Sequence, residues 1–515
     1  MESGSDRCRR RARTEVRSSQ YHAPTQWTRL DQRHPRGNPS RGREPHQRRQ
    51  RTNQLTWPLA AVSAPAGVLL DVVEEHLDEL GFMLAQRDRG LLSPCITLQE
   101  QATSIESRLL AQLDALVVQG PTVAEAVLAP HLTTEHGQPY SWQAAALALF
   151  EQQRPDALEA ALSLGTSAQR RAIACAGALS PQPTVDDWVV DRFKGEFDTQ
   201  TCAVLLHIAA ARGVAIPDLR RNLHSRDPQE QAAAAAAARW SAPDQTLKHL
   251  ERLFLTSGSG PEHVLIASTA RRSALLMGSP KAHLQCLQAA TQPDSPAAAD
   301  PTALLVAALW GGTAQHEGLM ARVARPAPCE HALFALGYTG NQAVVPLLVA
   351  QLAQATAPRV RRLAALALTT LTGRPVPKAP PNILPPPTTA TLPNLAQDLQ
   401  QQLVPHPLDA LPLPTQTPLP AEAWLPETPP TSQPTPILLG QAFSPDQALR
   451  ALEQLPLRCR PPLALWLELV TQGLLRVDPG ALCCTQRSQM ASARNGLQAN
   501  NFTLPPSPAW LNRTP

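Results

Sequence analysis

Residues 358–373 read PRVRRLAALALTTLTG: a proline opening, an arginine pair and an alanine-rich apolar stripe closed by glycine. The same plan recurs as SAQRRAIACA at 167–176 and PQEQAAAA at 228–235, with TARRSALL at 269–276 a looser version. Helices of this type are expected to start near 167, 199, 228, 261, 302, 328 and 358, six steps over 191 residues or about 32 each. At that period no unit can bury its apolar face alone, so neighbours must stack. The reading is an all-α fold, an α-solenoid of helix pairs. Alanine lets the paired helices approach closely and has the best helix propensity. Gly340 and Gly373 are expected at helix C-termini, where a left-handed residue ends the ladder.

Working outward, residues 58–130 form an N-terminal helical hairpin. Val73, Leu77, Leu80 and Leu84 share one face of 69–87, and Ile105, Leu109, Leu113 and Leu116 share one face of 98–118. Ser93-Pro94 makes the intervening turn and Gly120-Pro121 stops the second helix. Residues 131–374 hold the repeats. Residues 375–436 carry 19 prolines, a density that prevents regular helices and reads as a linker. Ser444-Pro-Asp opens a small helical C-terminal module over 437–480, and 481–515 reads as a frayed tail.

Composition agrees with this division. The 515 residues carry 46 basic and 42 acidic groups, a net charge of +4. Residues 1–57 alone hold 14 Arg and five acids, +9, which leaves −5 for 58–515. This Arg-rich leader has almost no aliphatic residues and is expected to be disordered. It reads either as a solvated extension or as a tail for nucleic acid or an acidic partner. Nine scattered cysteines without C-x-x-C argue against a disulfide framework or a zinc site and for a reducing, cytoplasmic setting. No apolar run is long enough to span a membrane.

The usual traces of catalysis are missing. Thr256–Gly260 lacks the nucleophile-elbow spacing, and no glycine-rich phosphate loop precedes a lysine. His131, Glu135 and His136 lack the helical metal register. In Cys329-Glu330-His331 the thiol and imidazole do not face each other, and Asp186-Asp187-Trp188 suits a helix start. No catalytic residue, cofactor or metal is assigned.

Residues 340–374 resemble a HEAT repeat of the bacterial type, in which G-[DN]-x-x-A-V-P-x-L-L is followed by V-R-x-x-A-A-x-A-L. An arginine at that place is an ordinary part of HEAT repeats, bonding to the neighbouring repeat. The alternative is a basic stripe for phosphate or acidic partners. Arg170, Arg171, Arg271, Arg272, Arg361 and Arg362 are the candidate partner-binding residues. The wider layout resembles an uncharacterised family of bacterial HEAT-repeat proteins found near type VI secretion spike and effector genes. The pieces that carry it are Glu75-His-Leu-Asp-Glu-Leu, Arg87-Asp88, Arg108-Leu-Leu-Ala-Gln-Leu, Leu371-Thr-Gly373, Trp424, Leu438-Leu-Gly440, Arg458 and Leu467-Glu-Leu469. The leader has no counterpart in that layout, and the linker is less acidic. The resemblance implies a non-catalytic scaffold or adaptor for protein partners such as secretion effector or spike components. The other readings are nucleic-acid or acidic-partner binding through the leader, and an enzyme on a HEAT scaffold of chromophore-lyase or base-excision type.

Overall fold

A computed structural model describes residues 69–376 (except 136, 196–197, 242, 256–259 and 296), 414, 419–424 and 436–499 (except 472). The expectations for the leader, for Thr256–Ser259, for most of the proline-rich linker and for the last residues lie outside the described ones. Among the described residues the chain is mostly helical, with one two-stranded sheet. No helix among them is long and apolar enough to cross a membrane.

Helix α1 (Leu70–Leu91) turns at Ser93–Pro94 into α2, which runs over 98–118 through a π-helical turn at Gln101–Glu106. Val73, Leu77, Leu80, Leu84, Leu109, Leu113 and Leu116 are buried, on the faces that the apolar spacing assigns them. Gly120, at φ 71°, ends α2, but Pro121 then sits in the first turn of a new helical stretch, α3, over 120–132. Proline at that place lacks only an N–H that would have no helical partner.

The next elements are α4 (Pro139–Glu151), α5 (Glu159–Leu164), α6 (Ser167–Leu179), α7 (Thr184–Arg192), α8 (Thr199–Arg212), α9 (Arg220–Leu223), α10 (Pro228–Ala237), α11 (Pro243–Leu255), α12 (Pro261–Leu276), α13 (Pro280–Thr291), α14 (Pro301–Trp310), α15 (Thr313–Val323), α16 (Glu330–Leu336), α17 (Val345–Gln354) and α18 (Pro358–Thr372). The even-numbered helices from α4 to α12 pack each on the next, as do α14, α16 and α18. Between α12 and α14 the contact is slight, and α13 lies along α14 instead. From α6 onward the even-numbered helices start at 167, 199, 228, 261, 301, 330 and 358, within two residues of each expected start. Local chemistry explains the starts. Proline is the first residue of α4, α10, α12, α14 and α18. Thr166, Asp198, Asp227 and Asp300 cap α6, α8, α10 and α14 by accepting from free N–H groups, each cap worth about 1 kcal/mol. The alanines fill the contacts between helices: Ala176, Ala209, Ala234, Ala235, Ala270 and Ala307 are fully buried. A side chain on Gly337 of the turn after α16 would lie 2.9 Å from Ala367 Cα of α18.

The C-terminal segment is no separate appendage. It comprises the strands β1 (Ile437–Leu438) and β2 (Gln441–Ala442), then α19 (Pro445–Gln454), α20 (Arg460–Val470) and α21 (Cys483–Ala499). The frayed tail expected from 481 is thus corrected: Cys483, Met490, Ala493 and Leu497 bury one face of α21. The sequence there is poor in aliphatics, and the helix packs on surfaces offered by α19 and α2, with Arg460 at the start of α20 donating to Gln486. One apolar cluster unites Leu449, Leu463, Trp466 and Met490 with Leu91 and Leu98 of the first hairpin and with Tyr338 and Leu366 near the end of the row. The described parts of the linker are attached as well. Trp424 is buried in the main core, and its indole donates to Leu419 O at 3.1 Å.

Two glycines join the segment to the row. Leu439 and Gly440 donate their N–H groups to Thr370 O and Leu371 O at 2.9 and 3.0 Å, capping the C-terminal carbonyls of α18. Gly373 takes φ 73°, and a Cβ there would lie 2.5 Å from Leu439 O. Gly120 has a similar φ with nothing within 4 Å of its missing Cβ. Gly120→Ala should therefore lose only the left-handed backbone penalty of about 1–2 kcal/mol. Gly373→Ala should lose a further ~1–3 kcal/mol from the collision. Urea midpoints of the two variants measure the difference.

Candidate functional site

The six sequence-selected arginines are mostly turned inward. Arg271 is 1% exposed, ion-pairs with Asp300 at the start of α14 and donates to Gln285 Oε1 at 2.9 Å. Asp300 also caps Thr302 and accepts from Ser268 Oγ at 2.9 Å, so one carboxylate joins α12 to α14. Arg170 donates to Leu162 O and Ser163 O at 2.7 and 2.9 Å, binding the C-terminal carbonyls of α5, and reaches Gln200 and Asp198 at the start of α8. Arg361, buried, donates to Pro414 O of the linker at 2.6 Å. Arg171, Arg272 and Arg362 are half-buried. Arg171 lies beside His207, whose imidazole is lowered to about 4 by burial first and by that guanidinium second. The surface expectation is therefore corrected for Arg271 and Arg361. In this conformation they meet other parts of the chain, because a guanidinium spans the distance from one helix to the next and can satisfy several acceptors there.

The densest polar constellation lies where the C-terminal segment crosses the N-terminal hairpin and the row. Arg87 of α1 and Glu106 of α2 are both buried, with Nε 3.1 Å from Oε1. Arg87 also donates to Gly480 O, and the other Glu106 oxygen accepts from Cys483 N at 2.6 Å. Glu106 thus caps the first turn of α21 from another element, satisfying a free N–H and complementing the helix dipole. Burial opposes the Arg87 charge, but Glu106 and Asp88 overcome this and hold the guanidinium above its usual value. The Asp88 carboxyl is pushed up by burial, against the pull of Arg87 and a hydrogen bond from Tyr140.

A second group faces α10 and α12. Glu468 of α20 lies 3.6 Å from Arg239 Nη1 and 3.1 Å from Arg476 Nε. The guanidiniums of Arg239 and Arg476 stand 4.2 and 4.1 Å from the Trp240 ring centre, and the indole donates to Ala210 O at 2.9 Å. Burial lowers Arg239 to about 10 despite Glu468, and lowers Arg272 despite Glu468, Asp478 and Asp300. Asp478 accepts from Gly480 N at 2.8 Å, yet burial raises its carboxyl to about 7 against the pull of Arg239 and Arg272. Nearby, the fully buried Arg460 donates to Leu452 O at 2.6 Å and to Gln486.

Repeat-based reasoning missed Glu106, Arg239, Glu468, Arg476 and Asp478. One signal was present: Glu468 is the only acid in RPPLALWLELV, and a carboxylate inside so apolar a helix needs a buried partner. Nothing marks that partner as Arg239, more than two hundred residues earlier.

Chemically, these groups neutralise and orient one another. No group of three or more potential metal ligands occurs among the described residues. Cys286 and Cys483 are buried, and burial pushes both thiols up, away from the thiolate form a nucleophile needs. His131 Nε2 and Ser141 Oγ are 2.5 Å apart, but Ser141 is buried and the contact joins α3 to α4. No protein-family model, curated protein or solved structure matches the chain.

Removing one partner of the buried pair should be severe. Glu106→Ala removes the closer of the two carboxylates at Arg87, leaving Asp88 at 3.4 Å, and should cost up to about 3–5 kcal/mol, whereas Arg87→Met with Glu106→Met should cost less than the single change. Chemical denaturation of both variants checks this.

Asp478 gives a pH test. Its folded value lies above the ordinary 3.8, so between about 4 and 7 the folded chain holds a proton that the unfolded chain has released. Its contribution is therefore greatest below that window and is lost as pH rises through 7. His207 and His283, lowered by burial to about 4, act oppositely and cost stability as pH falls below 6.5. The stability change of wild type between about pH 6 and about pH 8, minus that of Asp478→Asn, should show a loss on raising the pH.

Proposed function

We propose that the chain is a non-catalytic α-solenoid of HEAT-like helix pairs that serves as a scaffold or adaptor for a protein partner, as an accessory of type VI secretion. The observation that carries this reading is the recurrence of one helix type along the row, with starts at 167, 199, 228, 261, 301, 330 and 358. Such a row builds a long surface from short units, which suits distributed contact better than chemistry at one point. Its arginines support the reading too. Arg170 and Arg271 bond between units some 30 residues apart, the structural part that an arginine plays in HEAT repeats. The secretion role comes from the sequence resemblance alone.

On this reading the partner meets the odd-numbered helices and the edges of the row, because the C-terminal segment already covers Arg239 and Arg272. The alternative, nucleic-acid binding through the Arg-rich leader, is separable by salt, since phosphate contacts weaken steeply as salt rises.

Tagged full-length chain, expressed with the secretion apparatus, should retain a spike or effector component through purification and co-elute with it in size-exclusion chromatography. A folded bait that retains neither overturns the proposal. Recovery of nucleic acid alone, lost at high salt, would favour the leader.

A further inference from the structure

Gly473 and Gly480 bracket an irregular stretch between α20 and α21. Gly473 takes φ 79° and donates its N–H to Glu468 O at 2.7 Å, while Gly480 O is held by Arg87. Between the two glycines Leu475, Val477 and Asp478 are buried, Arg476 lies against the Trp240 ring, and Asp478 faces Arg239 and Arg272 of the row. This cover serves the polar groups beneath it poorly. The Arg239 side chain is 4% exposed and lies 3.6 Å from Glu468, yet its Nε and Nη1 make no hydrogen bond. Arg272 makes no ion pair among the described residues, and its Nε is likewise buried without a hydrogen bond. Asp478 uses one oxygen on Gly480 N at 2.8 Å; the other is buried and accepts from none of the described residues. Burial outweighs Glu468 at Arg239, and it outweighs both guanidiniums at Asp478. Arginines that tie the row together are served differently: Arg322 donates to Ala290 O and Ala298 O at 3.2 and 3.0 Å and also to Ala289 O. The stretch bonds instead to its own segment, Leu475 N–H to Thr471 Oγ1 at 3.0 Å and Asp478 N–H to Gln489 Oε1 at 2.8 Å.

We propose that residues 474–479 form a movable strap that lifts about Gly473 and Gly480 while the row and α21 stay folded, uncovering Arg239, Trp240 and Arg272. Closed, the strap shields from solvent groups that the chain itself leaves without hydrogen bonds, and such groups oppose burial. Lifted, both guanidiniums and the Asp478 carboxyl are hydrated. The cost is the apolar contact of Leu475 and Val477 and the bond to Gln489. Glycine at each end supplies the backbone freedom that the movement requires. Local opening of this kind belongs to segments that bond weakly to their surroundings. Lifting needs no partner and so does not depend on the scaffold reading.

The test uses the full-length chain carrying Val477→Cys, with native Cys286 and Cys483, both buried, as internal references. A thiol reagent is added under native conditions and each site is followed by mass spectrometry. The introduced thiol should react at least about tenfold faster than Cys286, which reports unfolding of the row, and than Cys483, which Glu106 holds beyond the strap. Adding Arg239→Met with Arg272→Met should slow the introduced thiol at least about tenfold, since apolar side chains of similar volume favour the closed state. An introduced thiol no faster than Cys286, one matched by Cys483, or a rate unmoved by the methionine pair would each overturn the proposal. If the methionine pair fails to fold, Arg272→Met alone replaces it. Hydrogen exchange of wild-type residues 474–479 against α12 repeats the comparison without any substitution, and equal protection of the two would likewise overturn it.

Discussion

The buried Arg87–Glu106 pair is the constraint on which the arrangement of the chain depends. Removing both ions from water is expensive, and their mutual attraction offsets this only if the remaining lone pairs and protons are also satisfied. Here they are satisfied by Gly480 O and Cys483 N, from a segment almost four hundred residues later. The first helical hairpin is thus incomplete without the C-terminal segment, and α21 lacks a cap without the hairpin. The same segment bonds through Leu439 and Gly440 to the end of α18. It therefore ties the first helices to the last helix of the row.

That closure changes what the arginines of the row are for. On an open row, Arg239 and Arg272 would present charge to solvent or to a partner. Covered by the C-terminal segment, they face Glu468 and Asp478, with the guanidiniums of Arg239 and Arg476 both against the Trp240 ring. Burial makes these charges costly to leave unpaired, so they favour one docking geometry over near alternatives. On the odd-numbered helices, Lys248 and Lys281 retain exposure.

Much of the fold was legible because its signals are local. Pro228, Pro261 and Pro358 announce helix starts, since proline is tolerated in the first turn and excluded further in. The apolar spacing of α1 and α2 identifies their buried faces correctly. Legibility stopped at surfaces that need a distant partner. Residues 483–499 have weak apolar periodicity and read as frayed, yet Met490 and Leu497 are buried against other helices. Of the candidate site residues, the arginine pairs were visible as a pattern, but their burial was not. An arginine one residue along a helix points about 100° away, and which direction is inward depends on what covers the row.

The sequence alone determined an all-α chain, the period of its even-numbered helices and the positions where they start. Those properties follow from proline, caps and alanine stripes within a few residues. Only the tertiary structure decided that the chain closes on itself, that Leu371-Thr-Gly373 meets Leu438-Leu-Gly440, and that Arg87 and Glu106 are completed by Gly480 and Cys483. Hydrogen bonds and buried charge pairs between residues hundreds of positions apart leave no periodic trace in either segment. They exist only when both surfaces are in place.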